Sequence, residues 1–176
     1  MKRLFVIAVF LFAVSDGCFA QNVMMIGGEY NYREAGYWDA GFGFNFMLLN
    51  EHLQDEIMIN FGAIQLKKPN AEPKDYFLIN IKDSLFFALN WKVIGLRIGG
   101  TLSIGAYAED VGDFFFSVGG LAGLHIFPKS LISLSVDVCP SYSLRFFVSP
   151  EFKGSFLDGG FALPVAAILR LNLDRL

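Results

Sequence analysis

The chain has 176 residues with a formal net charge of −3; 54% of the residues are hydrophobic and 18% are charged. Ordinary soluble domains carry about 25% charged residues and about 45–50% apolar residues even with glycine included. A soluble core of this size could not bury so much apolar surface. The sequence also has no cluster of basic residues, which argues against a nucleic-acid partner.

Residues 1–20 have the pattern of a cleaved secretory signal peptide. Lys2 and Arg3 supply the positive start, and an apolar stretch follows over residues 4–14. Cys18 and Ala20 are small residues at the positions that signal peptidase reads. We therefore predict cleavage before Gln21.

The mature chain is expected to be one domain, residues 21–176. An alternative processing route makes Cys18 a lipid-modified first residue, although Ser15 and Asp16 match the lipid-attachment motif poorly. After cleavage before Gln21, Cys139 is the one cysteine left in the sequence, so no disulfide can form within the chain.

The apolar residues of the mature chain are dispersed at a period of two. No uncharged apolar run approaches the roughly 20 residues that a membrane-spanning helix needs. In residues 38–48, Phe42 and Phe44 share one face while Gly41 and Asn45 share the other. This alternation is typical of strands. Because only helices and closed barrels can satisfy every backbone hydrogen bond in lipid, the pattern predicts a transmembrane β-barrel.

Eight segments carry the alternation, which predicts an all-β fold, an eight-stranded antiparallel up-and-down barrel. In chain order they are residues 24–33, 38–48, 57–66, 76–90, 93–108, 114–126, 131–145 and 159–173.

Four positions are irregular in this scheme. Asp83 falls on the apolar face of its segment, so we expect either a β-bulge at Lys82–Asp83 or a strand that extends beyond the membrane. Pro140 and Pro164 lie inside predicted strands and lack the N–H that a ladder needs, so a bulge is expected at each. The connection 50–55 is predicted to be a longer turn than the others at its end of the barrel.

Aromatic residues concentrate toward one end of the predicted strands. Aromatic side chains collect at membrane–water interfaces, so we predict an outer girdle there. Its members are Tyr30, Tyr32, Tyr37, Trp38, Tyr76, Tyr107, Phe114, Phe116 and Tyr142.

The second face of the strands is mostly glycine, serine, asparagine and threonine with a few charges of both signs. We predict that this face lines the barrel interior and carries a polar network. Its charged members are Glu29, Arg33, Asp39, Arg97, Asp137, Arg145 and Arg170. A structural salt-bridge plug is the favoured interpretation over a proton or ion path, since interiors of eight-stranded barrels are about filled by side chains.

Candidate catalytic groups do not come together in this topology. His125 and Cys139 are predicted to lie about 20 Å apart on neighbouring strands, too far to share a metal ion. His52 is predicted to lie in a polar turn. We expect no catalytic, cofactor-binding or metal-binding residues and no enzymatic activity.

The signal peptide, the immediate first strand at residues 22–24 and the eight alternating segments resemble the small bacterial outer-membrane barrels. That group includes the OmpA membrane domain, OmpX and OmpW. The resemblance is architectural and covers the mature chain. It implies a bacterial outer-membrane location, a surrounding lipid bilayer, and contact with the barrel-insertion machinery during biogenesis.

Three functions remain open from the sequence. The first is a structural or surface-exposed barrel with a side-chain-filled interior. The second is a narrow channel for small hydrophobic solutes, which the OmpW resemblance implies. The third is a soluble periplasmic barrel of the lipocalin kind, in which the apolar face would point inward.

Overall fold

The computed structural model describes residues 23–31, 37–49, 52–66, 72, 74–108, 113–147 and 156–173. Within them, no helix is long and apolar enough to cross a membrane. The described structure consists of strands: β1 Val23–Asn31, β2 Tyr37–Leu49, β3 Leu53–Leu66, β4 Lys74–Asn90, β5 Ile94–Tyr107, β6 Phe114–Ile126, β7 Ile132–Val138, β8 Ser141–Phe147, β9 Phe156–Ala162 and β10 Pro164–Asn172.

These segments close into an antiparallel barrel whose wall has eight strands. Each of β1 to β5 pairs with the next strand along the chain, and β6 pairs with both β7 and β8. β7 and β8 are two halves of one strand of the wall, and so are β9 and β10. The barrel closes where β10 pairs with β1, with Val23 opposite Asn172. The predicted eight-stranded up-and-down barrel is confirmed.

Pro140 and Pro164 interrupt two strands of the wall without causing bulges, contrary to the sequence-based expectation. Val138 pairs with Val165, and three residues further along each strand Ser141 pairs with Ala162. The register is therefore the same above and below the break. The effect of each proline is the loss of one hydrogen bond. Pro164 accepts a hydrogen bond from Cys139 N–H at 2.9 Å but has no N–H with which to donate one back.

Pro140 has the same effect where the strand formed by β7 and β8 faces β6. There the Pro140 carbonyl accepts a hydrogen bond from Gly120 N–H at 2.9 Å.

The expected bulge at Lys82–Asp83 is also absent. β4 stays in register with β3 and β5 along its whole length, and Asp83 pairs with Ile57 and Leu102. The register shift in this part of the wall lies instead between Met47 and Leu49. β3 begins at Leu53, which pairs with Leu49, so residues 53–55 belong to a strand and the predicted connection over residues 50–55 is too long.

Side chains alternate between a buried inner face and an exposed outer face around the wall. On β5, Arg97 is 2% exposed while its neighbours Leu96 and Ile98 are 46% and 68% exposed. Phe42 and Phe44 on β2 are likewise more than half exposed. The large apolar residues therefore face outward, which suits a hydrocarbon environment and is the reverse of a soluble lipocalin-like barrel.

Candidate functional site in the barrel interior

A cluster of charged side chains crosses the interior near the end of the barrel that holds Val23 and Asn172, called here the terminal end. Glu56 on β3 is its centre. Its carboxylate accepts from Arg97 Nη2 at 2.6 Å and from Arg170 Nε at 2.8 Å. A second bond from Arg170 Nη2 completes a two-pronged contact with the same carboxylate.

The cluster continues to the opposite wall through Ser135 and Asp137 on β7. Arg97 Nη1 donates to Asp137 at 2.8 Å and to Ser135 Oγ at 2.6 Å. Arg170 Nη1 donates to the same Ser135 oxygen at 2.7 Å. We call Glu56, Arg97, Ser135, Asp137 and Arg170 the charge cluster. It contains two charges of each sign, so the group is neutral as a whole.

Uncharged groups complete the cluster at its edges. Asn45 Nδ2 donates to Glu56 at 2.9 Å and to Gln54 at 3.0 Å. The guanidinium carbon of Arg97 lies 3.9 Å from the ring centroid of Phe86, a cation–π contact. The Arg97 guanidinium is therefore contacted on its planar face by Phe86 as well as at its N–H donors by the acceptors of the charge cluster.

His125 and Ser133 lie at the terminal end of the interior. His125 Nε2 and Ser133 Oγ are 2.9 Å apart and both side chains are buried. The described residues contain no group of three or more histidine, cysteine, aspartate or glutamate side chains placed to hold a metal ion. Within the described part of the chain, the pair therefore belongs to no three-ligand metal site.

A second polar layer lies above the charge cluster, toward the opposite end of the barrel. Asn80 Nδ2 donates to Asp39 at 2.9 Å, and Asn60 Nδ2 donates to Asn80 at 3.2 Å. Across the interior, Lys82 Nζ donates to Cys139 Sγ at 3.7 Å. The void bordered by these groups has a volume of about 10 Å³, which is about the size of one water molecule.

Beyond this layer an aromatic cluster fills the interior. It consists of the buried side chains Ile64, Tyr76, Leu78, Tyr107 and Phe115. The Tyr107 ring centroid lies 6.0 Å from that of Tyr76 and 5.9 Å from that of Phe115. The charge cluster thus lies toward the terminal end of the described interior and the aromatic cluster toward the other end.

Tyr76 and Tyr107 are therefore corrections to the predicted outer girdle. Both rings point into the barrel, with 4% and 3% of their surface exposed. Their position along the strand matches the girdle, but even-numbered residues of β4 and odd-numbered residues of β5 face inward. The girdle prediction considered height along the strand and neglected the face.

The other predicted girdle residues are placed as follows. Trp38 and Tyr142 are about half exposed on the outer face, and Phe114 is 41% exposed and stacks on Phe146 at 4.6 Å. Phe116 is half-buried on the same face. Tyr32, together with the side chains of Tyr30 and Tyr37, lies outside the described residues.

The predicted interior charges that the structure describes all have buried side chains: Asp39, Arg97, Asp137, Arg145 and Arg170. For Glu29 the structure gives the backbone pairing with Asp39 but no side chain, and Arg33 lies outside the described residues.

The central residue of the charge cluster, Glu56, was missed by the sequence reasoning. The connection was predicted over residues 50–55 and the strand from Ile57, which left Gln54 in a supposed turn and Glu56 outside both segments. The signal was present, because Gln54, Glu56, Met58 and Asn60 continue one polar-leaning face in steps of two.

No family model matches the chain, and no curated protein sequence matches it. Among solved structures, it is similar to the crystal structure of Neisserial surface protein A (NspA), with a TM-score of 0.51 and 12% sequence identity. The match covers 86% of this chain and 94% of NspA. This likeness supports the eight-stranded barrel fold assigned above.

Proposed function

We infer that the protein is an integral outer-membrane β-barrel with a structural or surface-exposed role and a closed interior. The observation that carries this proposal is the charge cluster, which joins β3, β5, β7 and β10 across the interior. The aromatic cluster closes the space beyond it. The charge cluster and the aromatic cluster, with the second polar layer between them, oppose the passage of both ions and apolar solutes.

The outward apolar surface supports the membrane location, because a soluble monomer would leave residues such as Phe44 and Ile98 in water. Export through the signal peptide is part of the same proposal. We expect the protein in the outer-membrane fraction of an expressing bacterium. Its measured mass should correspond to a mature chain that starts at Gln21. An inner-membrane or soluble location would contradict it, and a mature chain starting with a lipid-modified Cys18 would contradict the cleavage site.

Conductance separates the closed barrel from the narrow channel. We expect purified wild-type protein to show no discrete openings in planar bilayers. The combined variant Glu56→Ala, Arg97→Ala, Arg170→Ala, Tyr76→Ala and Tyr107→Ala truncates the largest side chains of both clusters and should introduce openings. The heat-dependent shift in gel mobility that folded barrels show would confirm that each protein is folded.

A control for that experiment removes the two tyrosine rings alone. Tyr76→Ala with Tyr107→Ala leaves the charge cluster intact and should remain silent. Discrete openings of the wild-type protein, or uptake of small apolar solutes into vesicles that contain it, would overturn the closed barrel in favour of the channel.

A further inference from the structure

Two neighbouring turns form one surface at the terminal end of the barrel. The turn between β4 and β5 covers residues 91–93, and the turn between β6 and β7 covers residues 127–131. Because β5 and β6 are paired, the two turns lie side by side. Phe127 N–H donates to the Val93 carbonyl at 2.7 Å, so one turn is bonded directly to the other. We call residues 91–93 and 127–131 the turn surface.

The turn surface exposes large apolar side chains. Trp91, Val93 and Phe127 are each more than half exposed, and Leu131 is 36% exposed. Ile94, the first residue of β5, is also exposed, so this apolar patch continues into the outer wall of the barrel. Aromatic rings at the end of a lipid-facing wall are typical of a membrane–water interface.

Phe127 has an unfavourable backbone conformation for an aromatic residue. Its φ is 54°, and among the described residues other than glycine no other φ is positive. Glycine and asparagine adopt this left-handed region more readily than a bulky residue does. The ring is half exposed and therefore gains little from packing inside the barrel. Strain of this kind is typical of functional positions, which indicates that the ring makes its contact outside the chain.

Both charged side chains of the turn surface are lysines. Lys92 and Lys129 are exposed, one in each turn. At the opposite end of the barrel, by contrast, the structure describes the exposed acidic side chains of Glu72 and Asp75. A lysine can lay its apolar stem along a hydrophobic surface and keep its ammonium group in water. The turn surface is therefore complementary to a partner that is both anionic and apolar.

We propose that the turn surface binds anionic phospholipids, with Lys92 and Lys129 contacting the headgroup phosphates and Trp91 and Phe127 packing against the first part of the acyl chains. This proposal rests on the membrane location inferred above and adds a lipid preference at one end of the barrel. An acidic protein segment would suit the lysines but would leave the exposed apolar side chains without a partner. A phospholipid satisfies both.

The test is the quenching of tryptophan fluorescence by brominated lipids in vesicles that contain the folded full-length protein. The chain has two tryptophans, so replacing Trp38 with phenylalanine leaves Trp91 as the reporter of the turn surface. Quenching by brominated phosphatidylglycerol and by brominated phosphatidylcholine gives the relative association of the two lipids with that surface. We expect phosphatidylglycerol to be favoured by at least about fivefold, the usual effect of one lysine near an anionic lipid surface.

The lysine variants separate charge from packing. Lys92→Gln with Lys129→Gln should abolish the preference for phosphatidylglycerol. Lys92→Arg with Lys129→Arg keeps both charges and should retain it. Trp91→Phe is the matched control, because it leaves Trp38, which is exposed on the outer face at the opposite end and should show no preference.

Three outcomes would overturn the proposal. Equal association of the two lipids at Trp91 would favour an acidic protein partner instead. A preference that survives in the glutamine variant, or one of the same size at Trp38, would show that the lysines of the turn surface do not select the lipid. The heat-dependent gel shift in pure phosphatidylcholine tests folding in the bilayer separately, so a folded barrel without a lipid preference counts against this proposal alone.

Discussion

Replacing Glu56 with leucine should lower the free energy of unfolding by about 3–5 kcal/mol, the usual cost of removing one partner from a buried ion pair. Glu56 receives hydrogen bonds from both Arg97 and Arg170. Its loss leaves two buried cations with one carboxylate, that of Asp137, between them. Arg170 would keep only the neutral Ser135 hydroxyl among its described side-chain partners.

Urea unfolding in detergent micelles, followed by tryptophan fluorescence, measures this effect. Asp75→Asn is the control, because Asp75 is exposed near the far end of β4 and its removal should change the stability by less than about 0.5 kcal/mol. Glu56→Gln keeps an acceptor for the arginines and should fall between the control and the leucine variant.

A compensated variant tests whether the cost comes from the orphaned charges. Glu56→Leu combined with Arg97→Met and Arg170→Met replaces the ionic group with apolar side chains of similar volume. Such replacements are often neutral or stabilising, so most of the lost stability should return. Wild-type stability in the single Glu56→Leu variant would show that the charge cluster does not stabilise the barrel.

The alternation of residue types was enough to predict the barrel. Because strand side chains have a period of two, each segment fixes which residues share a face once its phase is known. The phase was clear on β5, where leucine and isoleucine alternate with glycine, arginine, threonine and serine. The same rule placed Asp39, Arg97, Asp137 and Arg170 on the face that the structure buries.

The errors arose where position along a strand was used without its face, or where a local rule was applied without the closed sheet. Tyr76 was assigned to the girdle by height, although the same alternation puts Phe77 outward and hence Tyr76 inward. Pro140 was expected to force a bulge, but one missing N–H removes one hydrogen bond and leaves the register intact.

Side-chain partnerships across the interior could not be read from the sequence. Arg170 and Glu56 are 114 residues apart in the sequence and lie on strands that are not neighbours in the barrel. Their contact depends on the diameter and stagger of the closed barrel, which the pattern of a single strand does not contain.

Introducing a side chain at Gly43 should destabilise the barrel and lower the yield of folded protein. Gly43 faces inward on β2, and a Cβ there would collide with the backbone carbonyl oxygen of Ile57 and crowd the Cα of Met58 on β3. Those are backbone atoms, which cannot move aside without breaking the β2–β3 ladder. Overpacking in a well-packed interior costs about 1–3 kcal/mol and occasionally more, and a backbone collision belongs at the upper end of that range.

Gly100 provides the matched comparison, since it lies on the outer face and a Cβ there would make only an ordinary van der Waals contact, with the Gly119 carbonyl oxygen at 3.5 Å. Gly100→Ala should be neutral or slightly stabilising, because glycine in a strand costs about 0.5–1 kcal/mol relative to alanine. We expect Gly43→Ala to lose most of the heat-shifted gel band after refolding, while Gly100→Ala retains it. Equal refolding yields would mean that β2 and β3 are less tightly apposed than the structure indicates. The contrast follows from curvature: bending a sheet into so narrow a barrel crowds its concave face and opens its convex one, so the same residue type is required on one face and replaceable on the other.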